Sequence, residues 1–589
     1  MASLQEHWRT LVLLFAPLLL LPIPLSMGTS AGWCLYVVLL MASYWMCETI
    51  PLPITALLPL FLYPVTGVLA AKQVSKEYLS DSNFVFVGSM MMALAVEESG
   101  LQERIALRIL LFMGSNPRWI MLGFSLATAF LSMWMSNTAT TAMMVPIALA
   151  VIHELHLFAH TSRRDSRVRT RSTRGDSVDA AEKGNTPDHA MLKSEKKQSY
   201  QEAFEERARM QKEEHRILHE SLLNAPKEEQ QLYKAILLSI CYSANIGGTA
   251  TLTGTGSNIV FSGQLASLYP EQDTVSFASW MAFALPQMLL LLFIMWLWLQ
   301  LIFVGFRKAK GNSGIAQVLQ QKYNELGPMR FHESMALFFF VLLIFLWLFR
   351  DPKVFPGWGS VFEDGYVTDG ASAMFIGCVL FMVPREMPEI FARKSGYSLL
   401  AEGEKKRRQP RALLTWEAMQ HKFSWSIMLL LGGAYAMAAG VKSSGLSDLI
   451  GCALGAINSW PQMAFMGLCV AAVTFLTEFS SNVATASIFI PIINSVANGM
   501  HENPLYFLLP ITLACSFAFM LPVATPPNAI VFSARLLQVK DMMLAGFVMN
   551  WLCIGVTVVN IATYGSWLFN LEEMPHWDNF TAAANSSLC

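Results

Sequence analysis

Long stretches without one charged side chain, at residues 10–47, 49–71, 119–152, 235–270, 274–306, 449–477, 479–500, 503–534 and 542–571, decide what this chain can become. About 20 apolar residues suffice for a helix to cross hydrocarbon, so each stretch can span a bilayer and the longest must fold back. Shorter runs at 334–349 and 423–441 can also cross. The expectation is an all-α polytopic membrane protein of about eleven spans, with further segments that enter without crossing. Composition agrees: 14% of residues are charged, against roughly 25% in soluble chains.

A formal net charge of −1 offers no basic field for nucleic acid, and that partner is set aside. The nine cysteines lie mostly inside apolar segments without a C-x-x-C pair and read as reduced core residues. Residues 10–47 run past signal-peptide length and read as a retained first span.

Residues 163–227 hold fifteen of the 41 Lys and Arg, starting with Arg163, Arg164, Arg167, Arg169, Arg171 and Arg174. Positive charge favours the cytoplasmic side, which places this polar loop of 160–230 inside. Arg307, Lys308 and Lys310, then Arg393, Lys394 and Lys405 to Arg408, mark two further inside loops, separated by two candidate spans. The glycosylation sequons at Asn579 and Asn585 follow the last span and put the C-terminus outside. The N-terminus is then cytoplasmic.

The chain also repeats itself. Gly88, Ala93, Ser99, Gly100 and Leu101 recur as Gly433, Ala438, Ser444, Gly445 and Leu446, an offset of 345 (433 − 88). Ser136-Asn137-Thr138-Ala139-Thr140 returns at that offset as Ser481-Asn482-Val483-Ala484-Thr485, each followed by a proline, Pro146 and Pro491. A third pair, Gly254-Thr255-Gly256-Ser257-Asn258 and Ala524-Thr525-Pro526-Pro527-Asn528, is offset by 270 (524 − 254). The deficit of 75 (345 − 270) is about the size of the polar loop that only the first half carries. Were an odd number of spans to separate the copies, they would be inverted, as in secondary transporters.

These motifs put Gly, Pro, Ser, Thr and Asn inside apolar sequence, where irregular backbone is tolerated only around a cavity or within protein. Ser and Asn are strong N-caps, and a helix starting there directs free N–H groups and a positive dipole end at an anion. Asn137, Thr138 and Asn482 can donate to carboxylate oxygens; Val483 cannot. Oxygens from the same breaks suit a hard monovalent cation. Ser136, Asn137, Gly254 and Asn258 form a first candidate sodium site, and Ser481, Asn482, Ala524 and Asn528 a second. No Lys or Arg lies in these runs to neutralise a multiply charged anion, so co-bound cations must supply the charge. Glu48, Glu478 and the Glu97-Glu98 pair stand at the edges of apolar runs and are expected to be interfacial or salt-bridged.

With these residues in view, the sequence resembles the divalent anion/sodium symporter family, solute carrier family 13, over nearly its whole length. The resemblance implies an inverted-repeat homodimer of elevator type, with two re-entrant hairpins near 82–100 and 424–445, in the plasma membrane. It implies scaffold helices at 1–80 and 276–420. Transport-domain segments are implied at 81–159, 231–275 and 421–540, with a last helix and outer tail at 541–589. It adds Gly432 and Gly433 to the substrate contacts Asn137, Thr138, Asn482 and Val483, and it implies sodium-coupled uptake of citrate, succinate or, in one branch, sulfate. Val483 matches citrate-preferring members rather than dicarboxylate members, which carry threonine there. Ser257 replaces the proline usual in carboxylate members, a proline that the sulfate branch also lacks.

Other classes are separable. An anion channel shares helix-end sites but cannot accumulate its ion uphill, and sodium-independent exchange differs only in coupling. A membrane enzyme finds no zincin motif and no Ser/His/Asp arrangement to rest on.

Overall fold

Every backbone N–H and C=O that enters hydrocarbon needs an internal partner, and this chain meets that demand with helices. The computed structural model describes residues 2–114, 116–171, 222, 225–269, 275–305, 313–352, 354–363, 366–387, 412–453 and 461–573, and its one extended element there is an isolated bridge between Pro384 and Ala412. Asn579 and Asn585, and most of the 160–230 loop, lie outside the described residues. Among the described residues, eight helices are long and apolar enough to cross a membrane, and four shorter apolar ones, Leu52–Thr66, Asp369–Met382, Gln462–Leu476 and Pro504–Ala514, accompany them. The count expected from charge-free runs exceeds eight because several runs are divided by polar breaks.

The helices that build or frame the site are numbered in chain order. They are α1 Ala2–Leu20, α2 Ser30–Cys47, α3 Asp81–Ser99, α4 Pro117–Ser132 and α5 Asn137–Arg171. Next come α6 Lys227–Gly248, α7 Gly256–Leu268, α8 Phe277–Leu299, α9 Asp369–Met382 and α10 Trp425–Ser443. The second half closes with α11 Gln462–Leu476, α12 Asn482–Gly499, α13 Pro504–Ala514, α14 Pro526–Ser533 and α15 Val539–Asn560.

The duplication seen in the sequence is visible in the helices. Both α3 and α10 end at a left-handed glycine, Gly100 (φ +76) and Gly445 (φ +74), positions 345 apart (445 − 100). At both, the turn needs a backbone conformation that a Cβ disfavours. Gly88 on α3 and Gly433 on α10, also 345 apart, each lie against a neighbouring backbone: a Cβ would come within 2.5 Å of Ala373 and of the Ala56 carbonyl respectively. Close approach through small residues is how helices pack without a hydrophobic drive.

The broken hairpins are not where the resemblance put them. Residues 82–100 and 424–445 are occupied by the single helices α3 and α10. Short turns instead join α4 to α5 at 133–136 and α11 to α12 at 477–481, with the Ser-Asn motifs at their tips. A Ser-Asn pair is an N-cap, and an N-cap marks the start of a helix after a break. The motif is the hairpin tip, not a feature that follows it.

The two hairpins approach from opposite ends of an antiparallel pair, α8 and α15. Tyr564 donates to the Ala282 carbonyl (3.1 Å), Gln287 Nε2 to Thr557 Oγ1 (2.6 Å), and Trp298 Nε1 to the Ala545 carbonyl (3.1 Å), so one helix rises as the other descends. The base of α4 sits at the C-terminal end of α8, where Trp296 Nε1 donates to the Arg118 carbonyl (3.1 Å). The base of the second hairpin sits beyond the C-terminal end of α15, where Asn503 Nδ2 donates to the Glu573 carbonyl (3.1 Å).

Candidate functional site

The hairpin tips meet the unwound loops 249–255 and 515–525 around a cavity of about 780 Å³. Its wall carries Ser136, Asn137, Thr138 and Gly254 from the first half and Ser481, Asn482, Val483 and Ala524 from the second. Such a volume falls in the range of small-molecule sites. Residues remote in sequence are thus brought together in matched sets.

Helix starts supply the donors. Ser136 Oγ accepts from the Ala139 N–H at 3.2 Å, the expected N-cap. Ser481 is also an N-cap residue but makes no side-chain cap bond; instead Thr485 Oγ1 donates to Ser480 Oγ at 3.1 Å. Behind each tip a hydroxyl fixes the asparagine. Ser132 Oγ lies 2.5 Å from Asn137 Oδ1 and 2.8 Å from the Ala244 carbonyl, sharing its one proton between them. Thr477 Oγ1 does the same for Asn482 Oδ1 (3.0 Å) and the Cys515 carbonyl (2.8 Å). With both Oδ1 atoms turned back, the side-chain group that each asparagine offers the cavity is its NH₂ donor. That polarity suits an anion.

Asn258 and Asn528 do not line the cavity. Both are fully buried behind it and tie down the unwound loops. Asn258 Nδ2 donates to the carbonyls of Gly248 (3.2 Å), Thr249 (3.3 Å) and Thr251 (2.8 Å). Asn528 Nδ2 donates to those of Ala518 (3.0 Å) and Leu521 (3.0 Å). The repeat offset holds even here, since 518 − 248 and 521 − 251 both equal 270. In each case Oδ1 is left buried without a hydrogen-bond partner. An unpaired buried acceptor is costly and calls for a donor or a cation. These oxygens fit a hard monovalent cation.

Gly432 and Gly433 are corrected. Neither lines the cavity; a Cβ on Gly432 would meet the Tyr78 ring at 2.3 Å, and one on Gly433 the Ala56 carbonyl at 2.5 Å, so both serve helix packing. The α10 residues that do reach the cavity are Ser426, Ile427 and Leu430. Val483 packs across the halves onto Gly256, where a Cβ would lie 2.5 Å from Val483 Cγ2. Ser257 points elsewhere, its Oγ 3.0 Å from Ser516 Oγ in a buried contact between the halves.

The acidic residues divide. Glu97 and Glu98 pair with Lys422 at 2.8 and 2.7 Å, the expected salt bridge, and both raise the lysine pKa, Glu97 most. Glu478 is different: it is 1% exposed and has no cation beside it among the described residues. Its carboxylate accepts from the backbone N–H groups of Phe519 (2.8 Å), Met520 (3.0 Å) and Leu521 (3.2 Å) and from Asn550 Nδ2 (2.8 Å). It holds the second unwound loop by charge-assisted bonds. Its first-half equivalent, 345 residues earlier, is Met133, whose carbonyl accepts from Thr251 Oγ1 at 2.5 Å on the first loop. Ser132 and Thr477 share that register, and the offset alone could have singled them out.

Comparison with known proteins extends this geometry. A family model described as "Sodium:sulfate symporter transmembrane region" matches residues 4–571. A Na(+)/citrate cotransporter of Rattus norvegicus is 43% identical over 97% of either chain. Solute carrier family 13 member 2 of Homo sapiens is 42% identical, covering 100% of this chain and 98% of its own. The sodium-dependent low-affinity dicarboxylate transporter 1 of Caenorhabditis elegans is 42% identical over 98% and 93% respectively.

Proposed function

The chain belongs to the sodium:sulfate symporter family, within solute carrier family 13, and from that membership we propose that it imports di- and tricarboxylates such as citrate and succinate, driven by sodium. It is a multi-pass membrane transporter, and sodium is co-transported cargo. The observation that carries the reading is the pair of hairpin tips that set Asn137, Thr138 and Asn482 around one cavity with no Lys or Arg in its wall. An anion held by neutral donors needs its charge met by cations, and the buried Oδ1 atoms of Asn258 and Asn528 give two places for them.

Hairpins entering from opposite ends of α8 and α15 support an inverted repeat, and basic loops at 163–227, 307–310 and 393–411 support a cytoplasmic base for the first hairpin. An elevator motion, a homodimer, glycosylation at Asn579 and Asn585, and residence in the plasma membrane complete the proposal. Carboxylate is favoured over sulfate because Ser257, which stands where carboxylate members carry proline, lies off the cavity, whereas Val483, which matches citrate-preferring members, lies on it.

The experiment is uptake of labelled citrate, succinate and sulfate into proteoliposomes with sodium or choline outside. Uphill accumulation of the carboxylates in sodium alone is expected. Equal uptake in choline would make the protein an exchanger or channel, and sulfate displacing both carboxylates would overturn the substrate assignment.

A further inference from the structure

Among the described residues that line the cavity, only Glu48 is charged, and its charge has the sign of the anion. The residue caps α2 and is half-exposed, with 54% of its side chain open to solvent. Strongly exposed Phe479 (76%) and Val523 (83%) line the same cavity, so these three residues mark its rim. Glu48 also adopts a left-handed backbone conformation, φ 45 and ψ 45, which asparagine and aspartate accept more readily than glutamate. Its one ion-pair contact among the described residues is Arg9 on α1, 3.8 Å away, and the Arg9 side chain is itself 57% exposed. At 3.8 Å between two exposed side chains the pair is weak, so the two charges separate readily and the carboxylate is available to the cavity mouth.

We propose that Glu48 is a charge filter at the cavity rim, one that draws in sodium and penalises a bound anion in proportion to the anion's charge. The proposal rests on the sodium-coupled carboxylate reading and specifies how that site ranks its ligands. A fixed negative charge at the mouth of a low-dielectric cleft raises local cation concentration. It also favours loading of sodium before the anion, because each bound cation adds an attraction that offsets the repulsion, while the repulsion from Glu48 itself stays in place. For a separation of about 10 Å and an effective dielectric near 60, the repulsion is worth about 2.5-fold in affinity per unit of anion charge.

The test is equilibrium binding of labelled succinate and labelled citrate to the purified full-length protein, both anions fully ionised at about pH 8 and sodium saturating. Two variants with similar backbone preference separate charge from shape: Glu48→Asn removes the charge, and Glu48→Asp keeps it. The Asn variant is expected to bind succinate about 6-fold and citrate about 16-fold more tightly than the wild type, with a higher half-saturating sodium concentration. Added choline chloride should shrink both gains by screening, which a purely structural effect would not do. The Asp variant should keep the wild-type ranking. An equal gain for both anions, no gain, or an Asp variant that behaves like the Asn variant would each overturn the filter. Failure of the wild type to bind either anion in sodium would instead strike the functional reading beneath it.

Discussion

Replacing Glu478 with glutamine tests whether the second unwound loop is held by a buried carboxylate. In the wild type Oε1 accepts from Phe519, Met520 and Asn550, and Oε2 accepts from Met520 (3.1 Å) and Leu521 (3.2 Å). Glutamine keeps one acceptor oxygen and sets an NH₂ donor where the other stood, so the Leu521 N–H loses its partner at about 1–3 kcal/mol. The three remaining bonds lose charge assistance, each by about 1 kcal/mol. The sum, about 4–6 kcal/mol, is an upper bound because the neutral side chain is also relieved of the cost of burying a charge. Loop 515–525 carries Ala524 and leads into Asn528, so a share of about 1.5–3 kcal/mol should reach the proposed second cation site, a 10- to 150-fold rise in half-saturating sodium. Initial citrate uptake against external sodium in proteoliposomes measures this. Normal protein levels with an unchanged sodium dependence would refute the account of Glu478.

Three further outcomes follow from the same geometry. Asn137→Ala or Asn482→Ala should weaken anion binding about 5- to 150-fold, a loss of 1–3 kcal/mol, read as a shift in half-saturating citrate with protein levels maintained. Gly433→Ala should lower thermal stability and yield, because a Cβ meets the Ala56 carbonyl at 2.5 Å, by about 1–3 kcal/mol, while the protein that does fold keeps its citrate affinity; a selective affinity loss would restore Gly433 to the substrate site. Val483→Thr should shift competition between succinate and citrate toward succinate, since Thr is near-isosteric but its hydroxyl needs a partner, and an unchanged ratio would remove Val483 as a selectivity element.

Much of the site was legible because the chain states it twice. The Ser136-Asn137 and Ser481-Asn482 tips and the Gly254 and Ala524 breaks were readable from polar residues in apolar sequence, and the structure gathers them in one wall. Periodicity could not tell which face of an unbroken helix a glycine serves. Gly432 and Gly433 resembled backbone contacts and are packing contacts. Hairpin position is obscured in the sequence because α3 and α10 carry the more obvious repeat, whereas the break that makes a hairpin is the N-cap itself. Glu478 was hidden by its chemistry: at the edge of an apolar run it resembles an interfacial acid, and only the fold shows three backbone N–H groups turned toward it. The motifs point to Asn258 and Asn528, but their hold on the loops from behind the cavity depends on loop geometry that no spacing encodes.

The central claim is that anion and sodium share one site built by two hairpin tips and two loops. Its most direct measurement is equilibrium binding of labelled citrate to the purified wild-type protein as sodium is titrated against choline at constant ionic strength. The account predicts no binding in choline and a cooperative rise with sodium, because more than one cation must enter before neutral donors can hold the anion. Binding that is equally tight in choline would contradict it.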